Sequence, residues 1–221
     1  MPENARNATD RELTSHVECI IERFDEMSAT RDTAINRGRQ LIRLSANAIR
    51  ALHRGEDASS LLDDARMLMQ DLANDTRRYP NVYWAGYVQD AMKEYAEAEI
   101  TAALIEGESI PAPDALLVED AAWLNGLAEA ASELRRDVLD ALRQDDPGRA
   151  EGLLDTMDSV YGVLVTVDFP DAVTGGLRRT TDQFRGVLER TRGDVTLSLR
   201  QSRLEHAIRE AEGRMRNDTA S

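Results

Sequence analysis

Residues 159–167, SVYGVLVTV, decide the fold class of this chain. Four valines, Tyr161 and Thr166 give the run strand propensity, and a short apolar stretch fits a buried strand or a buried helix segment equally well. A strand needs a partner, and every neighbouring segment carries helical spacing. The run therefore reads as helix, ended by Pro170.

Working outward, Gly175-Gly176 precedes a helix to about Arg192, Gly193 reads as a C-terminal cap, and Asp194 reads as the N-cap of a last helix to about Arg214. Upstream, Asp114 to Arg143 has an apolar stripe at Leu124, Leu127, Ala131, Leu134, Val138 and Leu142, and Asp145 to Gly148 reads as a turn. Pro111 and Pro113 mark a linker. Pro80 opens a helix predicted to reach Glu106 before Gly107, and Asp57 to Leu72 forms another. Residues 10–53 carry apolar positions at helical spacing with Gly38 as the only interruption, as one very long helix or two stacked ones. The expected fold is all-α, a single-domain bundle of about seven helices over 10–214. Residues 1–9 and 215–221 are expected to be disordered.

The 221 residues are sufficient to bury a core. Acidic residues outnumber basic ones 41 to 27, for a net charge of −14, and Lys93 is the only lysine. Such acid-rich, arginine-for-lysine composition suggests a protein kept soluble at very high salt. Net negative charge argues against nucleic-acid binding, which normally leaves a basic footprint. In molar salt, however, steering is screened within about 3 Å, and local arginine clusters decide the matter. Cys19 is the only cysteine, which excludes an intramolecular disulfide, and it is expected to be a buried thiol. No apolar run approaches the roughly 20 residues of a membrane helix, so a cytoplasmic protein without membrane association is expected.

Two pairs of glutamates point to chemistry. Glu94 with Glu97 and Glu129 with Glu133 are spaced i,i+3 and i,i+4, so each pair offers two carboxylates to one point in space. Oxygen-only ligation suits Mg²⁺ or Mn²⁺, and a cation would relieve the mutual repulsion of such carboxylates. A solvated acidic face is the plainer explanation from spacing alone. Ala122 and Gly126 share the side of Glu129 and Glu133, where small residues would admit another chain or a ligand. Tyr83, Tyr87, Asp90, Glu94 and Glu97 fall on one stripe of the helix that Pro80 opens, because steps of four, three, four and three return to nearly the same angle. Five of the ten aromatic residues lie in 79–95, directly after Arg77-Arg78, where rings could stack bases and arginines hold phosphates. Core packing is the better expectation for Trp84 and Tyr95. Arg39 and Arg43 belong to a second basic concentration, on the first long helix, for which a salt-bridged surface is the commoner explanation.

At LHRGE (52–56), VEDAAWLNGLAEAASELRR (118–136) and above all LRRTTDQFRGVLERTRGDVTLSLR (177–200), the chain resembles the translin family, comprising translin and translin-associated factor X, and specifically its archaeal members. With the acid-rich composition, a haloarchaeal type is implied. The resemblance implies a seven-helix subunit, a closed homo-oligomer, octamer-like in one form, and binding of single-stranded RNA and DNA. It also implies a metal-dependent endoribonuclease of the factor X kind, with Mg²⁺ or Mn²⁺ held by Glu94, Glu97, Glu129 and Glu133 as catalytic residues, and nucleic-acid binding by Arg77, Arg78, Tyr83, Tyr87, Arg39 and Arg43. Glu94-Tyr95-Ala96-Glu97-Ala98 matches the family's first acidic string, whereas position 129 holds glutamate where aspartate is expected. Basic residues expected around 83–88 are absent. The alternative is a non-catalytic scaffold for single strands, as in translin, and a helical interaction module without nucleic-acid binding is a third reading.

Overall fold

The computed structural model describes the backbone of residues 3–218 and the side chains of residues 10–215. It is all-α. Six long helices, α1 (Glu3–Leu52), α2 (Ser59–Thr76), α4 (Gly86–Glu106), α6 (Asp120–Arg143), α7 (Pro147–Leu164) and α9 (Leu177–Asp218), are joined with three single turns, α3 (Pro80–Tyr83), α5 (Pro113–Leu116) and α8 (Asp171–Thr174). The ends expected to be disordered fall partly outside the described residues; where described, the backbone continues α1 and α9.

The ambiguous run is helical as far as Leu164, and no strand occurs among the described residues. Leu153, Met157, Val160 and Leu164 repeat every three to four residues and are all buried, so core packing overrides the strand propensity of the valines. Val163 and Val165 lie outside that stripe and are exposed. The last three residues, Val165 to Val167, leave the helix as a turn.

Three expected boundaries differ. Gly193 does not end a helix, because α9 runs through it: Leu177, Phe184, Leu188 and Val195 keep one buried register, and Asp194 pairs with Arg135 of α6 at 2.8 Å instead of capping. Conversely, the helix expected from Pro80 to Glu106 breaks at Ala85, whose ψ of 142° is extended. The Gln89 amide donates to the carbonyl of Tyr83 that the break frees. The helix expected from Asp114 breaks at Leu117, which adopts a left-handed φ of 58° between buried Leu116 and Val118. The two breaks are tied together, since the Tyr83 hydroxyl donates to Glu119 at the entry to α6. Both α4 and α6 thus start from one anchored corner.

Helices α4 and α6 form the most extensive pair in the bundle, with α1 and α2 on one side and α7 and α9 on the other. Both α4 and α6 bury several alanines, among them Ala91, Ala96, Ala128 and Ala131, and helix α1 crosses α4 at Gly38, where an added Cβ would lie 3.3 Å from the Tyr87 carbonyl. Gly38 is a close-approach residue inside one continuous helix. The N-terminal part of α1 and the C-terminal part of α9 expose apolar side chains, among them Val17, Ile21, Phe24, Leu197 and Leu204. Cys19 lies in this stretch and is exposed, contrary to the expectation of a buried thiol, because among the described residues no other element covers it.

Candidate metal centre

Gly126 sets the site. A Cβ placed there would meet the Lys93 carbonyl at 2.9 Å, the Ala96 Cβ at 3.0 Å and the Glu97 nitrogen at 3.0 Å. The chain that the small residues of α6 admit is therefore α4 itself, at the turn carrying the first acidic pair. This approach brings Glu94, Glu97 and Glu129 together, each offering one oxygen within 4.8 Å of the others. Three carboxylates at that spacing can coordinate a divalent cation. Glu97 is buried and the other two are half-buried, which rejects the plain solvated-face explanation.

The electrostatics carry the signature of crowding. Burial, reinforced by the charges of Glu129, Glu94 and Glu133, pushes the Glu97 carboxyl up to about 8, with Lys93 working in the opposite direction. Lys93 reaches 2.6 Å from Glu129 and 3.1 Å from Glu94. Glu133 stands just outside the triad. It accepts from His53 Nε2 at 2.7 Å, and His53 Nδ1 lies 3.1 Å from Asp137. His53 is only 3 % exposed, yet bonds to Asp137 and Glu133 outweigh burial and raise its pKa to about 9, so it is an imidazolium at neutral pH. Scattered histidines gave no sign of this in the sequence; the nearest signal was His53 within the LHRGE string.

No family model matches the chain. An uncharacterized protein of Methanocaldococcus jannaschii is 25% identical over 193 residues, 86% of each chain. AfC3PO, solved in a complex with duplex RNA, superposes with a TM-score of 0.78 at 33% identity, over 86% of this chain and 98% of that one. The chain belongs to the translin/C3PO family. The fold reaches further, to apo-NeC3PO, with a TM-score of 0.75 at 18% identity over 82% of this chain and 96% of that one.

In this translin/C3PO subunit the remaining candidates are dispersed. Tyr83 is buried, and burial together with its bond to Glu119 pushes its hydroxyl up to about 12, against the influence of Arg77. The break at Ala85 also removes it from the register of Tyr87, Asp90, Glu94 and Glu97. Tyr87 is half-buried, and Tyr95 is core. Arg77 and Arg78 are exposed; Arg78 lies over the Tyr79 ring at 5.5 Å and pairs with Glu26 at 3.5 Å. Arg31 and Arg37 of α1 and Arg54 in the turn after it are salt-bridged, whereas Arg39 and Arg43 of α1 are exposed and, among the described residues, have no ionic partner. Trp84 reverses its expectation: the ring is 60% exposed, stacked edge-on to Tyr83, because the helix break turns it outward. It lines a cleft of about 490 Å³ that reaches Lys93 and Glu129.

Proposed function

We propose that this protein is a metal-dependent endoribonuclease that binds and cuts single-stranded RNA. The observation that supports this most directly is the carboxylate triad Glu94, Glu97 and Glu129, closed by the approach of α4 to α6 at Gly126 and opening beside an exposed tryptophan. The fit to a cation rests on the donor set itself. Counting Glu133 and Asp137, five carboxyl groups face, among the described residues, only Lys93 and His53, and burial reinforced by the neighbouring negative charges keeps the proton on Glu97 near neutrality.

Glu94, Glu97 and Glu129 would hold Mg²⁺ or Mn²⁺, with Glu133 on the rim. When bound, such an ion polarises a phosphate and acidifies a water. The chain's own residues do the rest. His53 fixes the orientation of Glu133 through a short charged hydrogen bond, and Asp137 fixes His53 in turn. Trp84 offers a stacking face for a base next to the carboxylates, and Arg39, Arg43, Arg77 and Arg78 are exposed guanidinium groups for phosphates. Tyr83 and Tyr87 act less directly, Tyr83 by anchoring the turn that presents Trp84.

The protein acts as one translin-like domain over 10–214 within a closed homo-oligomer, octamer-like in the family's manner, and the exposed apolar faces of α1 and α9 support such an assembly. No helix among the described residues is long and apolar enough to cross a membrane. The acid-rich, lysine-poor composition supports a cytoplasmic protein of a halophilic archaeon. The complex of AfC3PO makes duplex RNA, and single-stranded DNA beside it, necessary competitors in any test.

The experiment is incubation of labelled single-stranded RNA at multimolar KCl with Mg²⁺, Mn²⁺ or EDTA. Cleavage with metal, its absence in EDTA, and its loss in Glu97→Gln and Glu133→Gln with RNA binding intact are expected. Cleavage retained in both variants would remove the site from consideration. A second reading, a binding scaffold without catalysis, is favoured by one observation: Lys93 already bridges Glu129 and Glu94. It predicts a chelator-indifferent gel shift with intact RNA, lost in Arg77→Ala or Tyr87→Ala.

A further inference from the structure

Lys93 is the one lysine among 27 basic residues, and it stands at the carboxylate triad. Its ammonium makes the 2.6 Å contact to Glu129 and the 3.1 Å contact to Glu94 with the side chain only 23% exposed. Glu94 and Glu129 belong to the triad that converges on a single point, so lysine and a divalent cation claim the same carboxylates. Its backbone is pinned, because its carbonyl abuts Gly126, and any movement must come from the four-carbon stem. That stem also lines the cleft containing Trp84, Gln89, Asn125 and Thr180. A guanidinium would clamp a carboxylate with a rigid fork, whereas an ammonium is a compact charge on a flexible stem that can change partner.

We infer that Lys93 is an exchangeable counter-cation and a positioning residue: it bridges Glu94 and Glu129 while no metal is bound, and on metal entry its ammonium turns into the adjoining cleft to hold an RNA phosphate. This rests on the nuclease reading of the site and explains the feature that otherwise favours a scaffold. The bridge seen here is the first station. Lysine suits both stations because its ammonium is a compact charge on a flexible stem, without the fixed fork geometry of a guanidinium.

The test is Mn²⁺ affinity without RNA, followed by electron paramagnetic resonance, and then affinity for a hydrolysis-resistant phosphorothioate single-stranded RNA at saturating Mn²⁺. Lys93→Met should bind Mn²⁺ at least about tenfold more tightly, because the competing charge is gone, and bind the RNA about tenfold more weakly. Lys93→Arg, whose fork clamps the carboxylates, should bind Mn²⁺ less tightly than the wild type. Opposite signs distinguish exchange from damage to packing, which would weaken both. Unchanged or weaker Mn²⁺ binding in Lys93→Met, or unchanged RNA affinity, overturns the exchange while leaving the metal site intact. Absence of Mn²⁺ binding in the wild type sinks the metal reading and the exchange with it. Lys93→Gln supplies the same comparison should the methionine variant not fold.

Discussion

Gly126→Ala adds one methyl group at the place where α4 and α6 are closest. The new Cβ would sit 2.9 Å from the Lys93 carbonyl and 3.0 Å from the Glu97 nitrogen, both backbone atoms, whereas ordinary contacts begin at 3.4 Å. Neither neighbour can rotate away, so the helices must part by about half an ångström. Overpacking of this kind costs about 1 to 3 kcal/mol, and the better helix propensity of alanine returns up to about 1. The net loss, about 2 kcal/mol at mid-range cost with little return and at most about 3 kcal/mol, corresponds at the former value to a midpoint lowered by about 4 to 8 °C for a chain this long. The same displacement separates Glu129 from Glu94 and Glu97. If a misplacement of 1 Å can cost about a hundredfold, half of it costs about tenfold in cleavage. Thermal unfolding and single-turnover cleavage measure the two effects together. Gly152→Ala in α7 is the control, since its Cβ meets nothing within 4 Å and should stabilise by about 0.5 to 1 kcal/mol. A Gly126→Ala protein as stable and as active as the wild type would refute the claim that this contact sets the carboxylate spacing.

Further outcomes follow from the buried titrating groups. The folded pKa of His53, about 9, exceeds its ordinary 6.5, so its stabilisation, at most about 3 kcal/mol, is complete below pH 6.5 and lost as pH rises through 9; His53→Gln should flatten stability between those limits in chemical denaturation. Glu97 is an acid with a raised pKa, so without metal the fold loses stability from about pH 4.5 up to about 8. Glu97→Gln should remove that slope and leave the protein more stable at pH 8, and Mn²⁺ should stabilise the wild type but not the variant. Tyr83→Phe leaves Glu119 without its donor and loosens the corner from which α4 and α6 start; a loss of about 1 to 3 kcal/mol in urea unfolding is expected.

Periodicity carried the fold class because long helices need only a stripe. In α7 the local pattern left strand and helix open, and helix followed only from the helical spacing of every neighbouring segment; the structure buries Leu153, Met157, Val160 and Leu164 along one face. What periodicity misses is any event that preserves composition while changing direction. The extended Ala85 and left-handed Leu117 lie in segments whose apolar pattern continues across them, and no proline or glycine announces either turn at the residue that makes it. The exposure of Trp84 depends wholly on the first of these. At Gly193 the opposite error arises: a glycine followed by aspartate has the chemistry of a cap, but Val195 keeps its place in the core row and Arg135 takes the aspartate from across the bundle. Local signals lose there to one buried stripe and one long-range ion pair.

From spacing alone the acidic pairs were visible as pairs and not as a site, and only the resemblance to the translin family joined them, for a reason that spacing cannot overcome. Each pair lies off the main apolar stripe of its own helix, and only the interhelical distance decides between surface and centre. That distance is set by Gly126, a residue with no chemistry of its own, and the composition of the α4 face opposite it, Ala96 and the main chain of Lys93 and Glu97, completes the approach. The consequence is that ion binding at this triad would be coupled to folding. Closing α4 on α6 buries Glu97 among like charges, and Lys93 with His53 offsets only part of that cost. A bound divalent cation would offset more of it, so metal affinity and helix packing should change together in every variant that moves the two helices apart, and separately in variants such as Lys93→Met that alter charge and leave the contact at Gly126 untouched.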